Sequence, residues 1–174
     1  QAEHDNLAQC ILISKDKNIL EKTKKEVFEQ LKNLPRSSIA KKSLMMNGIL
    51  IYANSDKKII EITNKIGPEH LELNVKNYKS FVAKIKNAGS VCLGKYAVMA
   101  MTDYGAPGSN HVLPTDSSSK YSSGLNVSEF MKKISYITLS KKGIDKLGPS
   151  VITLANYEGL QGHAQSIVKR IRRK

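Results

Sequence analysis

The chain has 174 residues, of which 40% are hydrophobic and 25% charged, so it is long enough for one ordinary domain with a small appendage and too short for two full-sized domains. With 28 lysines and arginines against 15 acidic residues, its formal net charge is +13. No apolar run approaches the roughly 20 residues of a membrane span, and no charged-then-apolar leader begins the chain, so we expect a cytoplasmic protein rather than a membrane or secreted one.

The positive charge does not by itself predict a nucleic-acid-binding protein. Most lysines are scattered over predicted amphipathic helices, such as residues 16–34 and 77–88, where they would form the solvated face. The one dense cluster, KRIRRK at residues 169–174, has no aromatic residue beside it for stacking on bases. We therefore expect no nucleic-acid partner, and binding that fell steeply with salt would be the sign of one.

Strands alternate with helices over residues 1–94. Apolar runs predict strands at 10–14, 48–53, 70–73 and 90–93, and apolar residues at helical spacing predict helices over 16–34, 38–46, 56–66 and 77–88. Ser55 is suited to begin the third of these helices, and Gly67 with Pro68 to end it. Because consecutive parallel strands need crossover helices, the pattern predicts an α/β fold: an incomplete Rossmann-like parallel sheet flanked by helices.

The alternation of strands and helices ends at residue 94. Residues 94–124 are rich in glycine, proline, serine and asparagine, and ordered loops of this length usually carry function. A helical turn at 128–132, a strand at 134–139 and helices beginning at Ser140, at Pro149 and at Gln161 are predicted beyond it. We therefore predict an incomplete α/β catalytic domain over residues 1–124 and a small helical tail over 125–174.

The two cysteines, Cys10 and Cys92, both lie in short apolar runs. Neither belongs to a CxxC pair of the kind that binds structural zinc. They are therefore predicted to be buried, reduced thiols rather than part of a disulfide framework or a zinc knuckle.

Four histidines stand in polar or glycine-rich surroundings: His4, His70, His111 and His163. Glu69 directly precedes His70, which puts two proton-transfer groups side by side at the predicted mouth of the sheet. Nitrogen and oxygen donors from separate segments, without thiolates, suit zinc or a related divalent metal in a catalytic site. The residues alone indicate a metal-assisted enzyme, and the alternative that each histidine is an unpartnered loop residue stays open.

Seven segments resemble, in order, the C-terminal part of the histidinol dehydrogenase family: QAEHD, GPEHLEL, AGSVCLGKY, TDYGAPGSNHVLPT, YSSGLNVSEFMKK, ITLSKKGIDKLGPSV and EGLQGHAQS. The resemblance runs the full length of the chain, and NHVLPT and EHLEL are its most specific parts. It implies a zinc-dependent, NAD-linked oxidation of L-histidinol to L-histidine through the aldehyde level, the last step of histidine biosynthesis.

The resemblance also implies a role for individual residues. One zinc ion would be bound by Gln1, His4, Asp103 and His163. His70 would be the general base of both oxidations, and Glu69 would activate water for attack on the aldehyde-level intermediate. His111 and Glu158 would contact L-histidinol. The implied assembly is a homodimer in which Glu158 and His163 complete the partner's site.

The chain departs from the family pattern in two respects. It begins at the first zinc-ligand motif rather than at a methionine, and it has no GxGxxG motif or other counterpart of the NAD-binding part, so we expect the 174 residues alone not to catalyse the full reaction. The alternative is a non-catalytic zinc-binding remnant or an isolated module that lacks the NAD domain. In addition, the loop between Asp103 and His111 is one residue longer than the family pattern, and Thr102 replaces a usual glycine, changes expected to shift Asp103 relative to His111.

Overall fold

The computed structural model describes residues 1–105 and 110–171. Backbone contacts divide the chain into two compact units, the first ending at Glu129 and the second beginning at Phe130. The assignment of a catalytic domain to 1–124 and a tail to 125–174 stays a prediction. Among the described residues, no helix combines the length and the hydrophobicity needed to cross a membrane.

The first unit is built from short parallel strands. They are β1 (Ile11–Ser14), β2 (Ile49–Tyr52), β3 (His70–Leu73) and β4 (Ser90–Leu93). Strand β1 pairs with β2, and β3 pairs with β4, both in parallel. The α/β class is therefore confirmed, but in the described part of the chain the strands form two separate two-stranded sheets rather than one continuous sheet. Alternation of strands and helices predicts parallel pairing, and it does not specify which strands become neighbours.

Helices connect these strands: α1 (Lys17–Gln30), α2 (Ser37–Asn47), α3 (Asp56–Ile66), α4 (Lys79–Val82) and, after β4, α5 (Met99–Tyr104). Short 3-10 helices cover Leu31–Asn33, Ser118–Lys120 and Val127–Phe130. The predicted bounds of α3 are confirmed, because the Ser55 hydroxyl accepts a hydrogen bond from the Lys58 N–H at 3.2 Å and Gly67 ends the helix in the left-handed conformation.

The predicted helix over residues 77–88 is wrong in length, since only Lys79–Val82 is helical. The side chain of Asn64 on α3 takes up the backbone groups that a longer helix would have used. Its carbonyl oxygen accepts from the Lys86 N–H at 2.7 Å, and its amide donates to the Lys84 carbonyl at 2.9 Å. A polar side chain twenty residues away in the sequence thus competes with the helix for its hydrogen bonds.

The core of the first unit lies on one face of the β3–β4 sheet. Ile60, Leu73 and Phe81 are buried together there, and Leu71 packs against them. Because successive side chains of a strand point to opposite faces, the β3 residues between the leucines face away from this core. The sheet therefore has an apolar face that stabilises the fold and an opposite face that is free to carry polar groups.

Gly67 offers a test of the packing beside β3. Its φ is +61°, and a β-carbon added there would lie 2.9 Å from the Ser119 hydroxyl oxygen. Gly159 has a φ of +75° with no atom within 4 Å of such a carbon, which makes it a matched control. We expect Gly67→Ala to lower the free energy of unfolding by more than about 2 kcal/mol and Gly159→Ala by about 1 kcal/mol, measured by urea denaturation. Equal losses in the two variants would show that Ser119 does not pack closely on Gly67.

The second unit contains α6 (Lys141–Tyr157) and α7 (Gln161–Ile171). The bounds of α7 are as predicted, but the two helices predicted from Ser140 and from Pro149 are one continuous helix with Pro149 inside it. Gly148 is buried, and a β-carbon there would clash with the Ile171 side chain, so α7 packs closely on α6 next to the proline. This packing holds the helix through a residue that would otherwise end it.

The predicted strand at 134–139 is also wrong. These residues form no strand, and Ile134, Tyr136, Ile137 and Leu139 are exposed. An extended segment becomes a strand only when a neighbour supplies its ladder hydrogen bonds, and no neighbour pairs with it in the described part of the chain. High β-propensity alone therefore gave a misleading prediction at this point.

Candidate functional site

The first pair of candidate residues consists of His70, on the polar face of the β3–β4 sheet, and Glu69, directly before β3. His70 and Glu72 alternate with the core leucines of β3, and the register places Ser90 and Cys92 of β4 opposite them. The His70 Nε2 atom lies 3.8 Å from the Glu69 Oε1 atom, and the two side chains are 12% and 28% exposed. An imidazole and a carboxylate thus lie close together in a largely buried setting, at a separation longer than a hydrogen bond.

His70 has one nitrogen atom whose hydrogen-bonding capacity is unused. Its Nδ1 atom is buried and has no hydrogen-bond partner among the residues that the structure describes. Buried polar atoms are nearly always hydrogen-bonded, because leaving one unpaired costs about 1–3 kcal/mol. An unpaired nitrogen is therefore a site at which a further group could bind.

A second pair of candidate residues lies at α5. Asp103 is on this helix and is 13% exposed, and its Oδ1 atom lies 3.9 Å from the Nδ1 atom of His111, which is 72% exposed. Helix α5 is joined to the sheet because the Glu72 Oε1 atom accepts a hydrogen bond of 2.8 Å from the Met99 N–H. The polar face of the sheet, α5 and His111 therefore form one continuous region.

The loop that carries His111 is attached to the same sheet. The Leu125 N–H donates to the Val112 carbonyl at 3.0 Å, which closes the loop on itself. A β-carbon on Gly89 would lie 2.6 Å from the Glu69 carbonyl oxygen and 3.0 Å from Pro114, so Pro114 packs where β3 and β4 begin. These contacts hold the segment after His111 next to Glu69.

Cys92 lies on this polar face and is buried, whereas Cys10 is half-buried; both thiols are free. Burial, and then the negative charges of Glu72 and Asp103, raise the pKa of the Cys92 thiol above its ordinary value of 9.0. The prediction of buried thiols is therefore confirmed for Cys92 and only partly for Cys10.

The two thiols should react at different rates. At pH 8.5 we expect iodoacetamide to modify Cys10 at least about tenfold faster than Cys92, since the thiolate is the nucleophile and that of Cys92 is suppressed. Peptide mass spectrometry of time points would measure the two rates, and the urea-unfolded chain, in which both should react alike, is the control. Equal rates in the folded chain would contradict the burial of Cys92.

Gln1 and His4 share one turn at the start of the chain, where the His4 N–H donates to the Gln1 carbonyl at 3.1 Å. The Arg36 guanidinium, at the start of α2, donates to the Glu3 carbonyl at 2.8 Å and to the His4 carbonyl at 3.3 Å. Both predicted ligand side chains are exposed. The sequence spacing of three therefore corresponds to a single backbone turn that contains both Gln1 and His4.

Glu158 and His163 belong to the second unit. Glu158 directly follows α6, and His163 lies in the first turn of α7, where its N–H donates to the Leu160 carbonyl at 3.0 Å. Gly159, with its positive φ, makes the turn between the two helices. Both candidate side chains are exposed.

The residues implied for zinc fit the metal by donor type, since imidazole and carboxylate groups are common zinc ligands. Over residues 1–105 and 110–171, however, no three histidine, cysteine, aspartate or glutamate side chains form a group that could hold a metal ion. The structure places Glu69 close to His70 and Asp103 close to His111, and it places Gln1 and His4 in one backbone turn. The longer loop between Asp103 and His111 includes residues 106–109, which lie outside the described residues.

Glu72 and Cys92 were not singled out by the sequence patterns as part of this region. Their signal was strand alternation: in HLEL the glutamate must share a face with the histidine, and Cys92 follows from the register of β4. What the sequence did not contain was the pairing of β3 with β4 and the position of α5.

Comparison with known proteins gives a consistent result. A family model described as histidinol dehydrogenase matches residues 1–171. A protein of Pelagibacter ubique named histidinol dehydrogenase is 74% identical over 174 residues, which is 100% of this chain and 40% of that protein. One of Listeria monocytogenes with the same name is 44% identical, over 96% of this chain and 39% of the relative.

A solved structure also resembles this one. The crystal structure of histidinol dehydrogenase from Elizabethkingia anophelis aligns with a TM-score of 0.78 and 38% identity, over 98% of this chain and 39% of that one. This chain thus spans about 40% of the length of the relatives it matches. With the family model matching almost every residue and the fold in agreement, the chain belongs to the histidinol dehydrogenase family.

Proposed function

We propose that this chain forms the zinc- and substrate-binding part of an NAD-linked histidinol dehydrogenase that oxidises L-histidinol to L-histidine through the aldehyde level. The observation that carries the proposal is the region on the polar face of β3–β4, where His70 with Glu69 and Asp103 with His111 are joined through Glu72 and α5. The relatives named histidinol dehydrogenase supply the reaction.

In this proposal His70 is the general base. When the alcohol of L-histidinol is oxidised, hydride leaves the carbon for NAD and the hydroxyl proton must be removed, which an imidazole does well near neutral pH. The partly buried setting of His70 and its unpaired Nδ1 atom support this role. The same base would take the proton in the second oxidation, when the hydrated aldehyde gives up a second hydride to a second NAD.

Glu69 is proposed to take a proton from the water that adds to the aldehyde carbon between the two oxidations. Its carboxylate lies beside His70 and is the more exposed of the two side chains, so water can reach it. His111, largely exposed, and Glu158 would contact L-histidinol. His70 is then the base of both oxidations, and Glu69 is the base of the hydration step. No step transfers a group covalently to the protein.

Gln1, His4, Asp103 and His163 are the proposed zinc ligands. Zinc, when bound, would hold the amino and imidazole groups of L-histidinol and so orient its reactive carbon. We further propose a homodimer in which Glu158 and His163 complete the site of the partner. NAD would bind to the part of the family-length protein that this chain does not span.

The ligand assignment is tested by His163→Ala. We expect the wild-type chain to form a dimer with about one zinc per chain and the variant to lose zinc while staying folded, because His163 is exposed. Elemental analysis with native mass spectrometry measures both, and circular dichroism checks the fold. Gln165→Ala, also exposed on α7, is the matched control. Zinc at full stoichiometry in His163→Ala would overturn the assignment.

Activity is tested in a chimera in which this chain replaces the matching 40% of the Pelagibacter ubique relative, to which it is 74% identical. We expect the chimera to reduce two NAD per L-histidinol. A chimera that folds and binds zinc without turnover would favour the alternative of a non-catalytic zinc-binding module.

A further inference from the structure

Glu72 joins the two pairs of candidate residues. It stands two positions after His70 on β3, and its Oε1 atom accepts a hydrogen bond of 2.8 Å from the N–H of Met99, the first residue of α5. Asp103 lies four residues after Met99, one turn along the same short helix. One carboxylate therefore connects the strand of His70 to the helix of Asp103.

Helix α5 depends on such an anchor. It has six residues, and the residue before it, Val98, makes no side-chain cap. Helices this short are unstable without external contacts, and an unpaired N–H at their first turn leaves them free to fray. The negative charge of Glu72 at this N-terminus also interacts favourably with the helix dipole.

The surroundings of Cys92 agree with this arrangement. Cys92 pairs with Glu72 in the register of β3 and β4, and both Glu72 and Asp103 raise the pKa of its thiol. The carboxylates of β3 and α5 therefore converge on the same part of β4.

We infer that Glu72 is a positioning residue, whose hydrogen bond to the Met99 N–H fixes α5 on β3 and thereby sets the separation of Asp103 from His70. The importance of that separation rests on the proposed function, in which Asp103 binds zinc and His70 is the base. Glu72 itself is not among the proposed zinc ligands or the proposed contacts of L-histidinol.

Three variants separate this role from a general effect on the fold. Glu72→Ala removes the acceptor, whereas Glu72→Gln keeps a side-chain carbonyl oxygen that can accept from Met99 without the charge. Glu61→Ala removes an exposed glutamate of α3 that contacts Lys58 and not α5, and is the matched control. Thermal unfolding followed by circular dichroism checks that all three are folded.

The first readout is amide hydrogen exchange of the metal-free chains. We expect the Met99 amide to exchange about tenfold faster in Glu72→Ala than in wild type, and near the wild-type rate in Glu72→Gln and Glu61→Ala. Unchanged exchange in a folded Glu72→Ala chain would overturn the inference. Equal acceleration of Met99 exchange in Glu72→Ala and Glu72→Gln would also overturn the inference, because the charge of Glu72 rather than its hydrogen bond would then protect the amide.

The second readout is zinc affinity, measured by competition with a chelating dye. We expect Glu72→Ala to weaken binding by about tenfold and Glu72→Gln to restore most of it, as for residues that orient metal ligands. Wild-type affinity in Glu72→Ala would overturn the link to Asp103. Failure of the wild-type chain itself to bind zinc would instead count against the proposed function, and amide exchange would still decide whether Glu72 anchors α5.

Discussion

Replacing His70 by asparagine in the chimera is expected to lower kcat for L-histidinol oxidation by about 10²–10⁴-fold, because asparagine has no group that accepts a proton near neutral pH. NADH formation under saturating substrate measures the loss. The side chain is only 12% exposed and similar in size to asparagine, so the fold and the zinc content should change little. An unchanged kcat in the folded variant would contradict the assignment of His70 as the base.

Glu69→Gln is the informative comparison for this experiment. If Glu69 acts only on the water of the hydration step, the variant should still oxidise the alcohol to the aldehyde level and should accumulate that product. His70→Asn should slow both oxidations. Identical product profiles in the two variants would contradict the division of roles between the neighbouring side chains, whose nearest atoms are 3.8 Å apart.

Phe81→Ala is expected to lower the free energy of unfolding of the first unit by about 3–5 kcal/mol, since it removes most of a buried aromatic side chain and leaves a cavity against Ile60 and Leu73. Urea denaturation measures the change. The neighbouring Val82 is exposed, and Val82→Ala should cost less than about 1 kcal/mol. Similar losses in the two variants would contradict the position of the core on this face of β3–β4.

Phe81→Ala also tests whether the core supports the polar face of the β3–β4 sheet. Leu73 packs against Phe81, while His70 and Glu72 occupy the opposite face of the same strand. A general loosening of β3 would therefore affect the polar face as well. Comparison of Phe81→Ala with Glu72→Ala distinguishes loss of the core from loss of one anchoring hydrogen bond.

Much of the candidate site could be predicted from the sequence because its residues occur in adjacent positions. Glu69 and His70 are neighbours, and Gln1 and His4 are three apart, so each pair lies within one short segment. Asp103 and His111 could be predicted as a pair only because one loop joins them. A metal site needs ligands from distant segments, which local spacing does not bring together. Among residues 1–105 and 110–171, no three histidine, cysteine, aspartate or glutamate side chains form such a site.

The secondary structure also divides into elements that local signals predicted and elements that distant residues decided. The bounds of α3, β3, β4 and α7 agree with the prediction, because caps and strand alternation are local signals. Three predictions were wrong, those at 77–88, at 134–139 and around Pro149, because Asn64, a missing strand partner and the packing of α7 on Gly148 each act from elsewhere in the chain.

The sequence by itself determined the α/β class, the family and the residue types available for chemistry, because these depend on periodicity and on motifs that lie within a few positions of each other. Only the tertiary structure decided that the described strands form two pairs, that the buried Nδ1 of His70 has no partner among residues 1–105 and 110–171, and that Glu72 accepts a hydrogen bond from the helix of Asp103. The physical reason is that strand partners and long-range hydrogen bonds are chosen by competition among many segments, and a local pattern contains no information about which one wins.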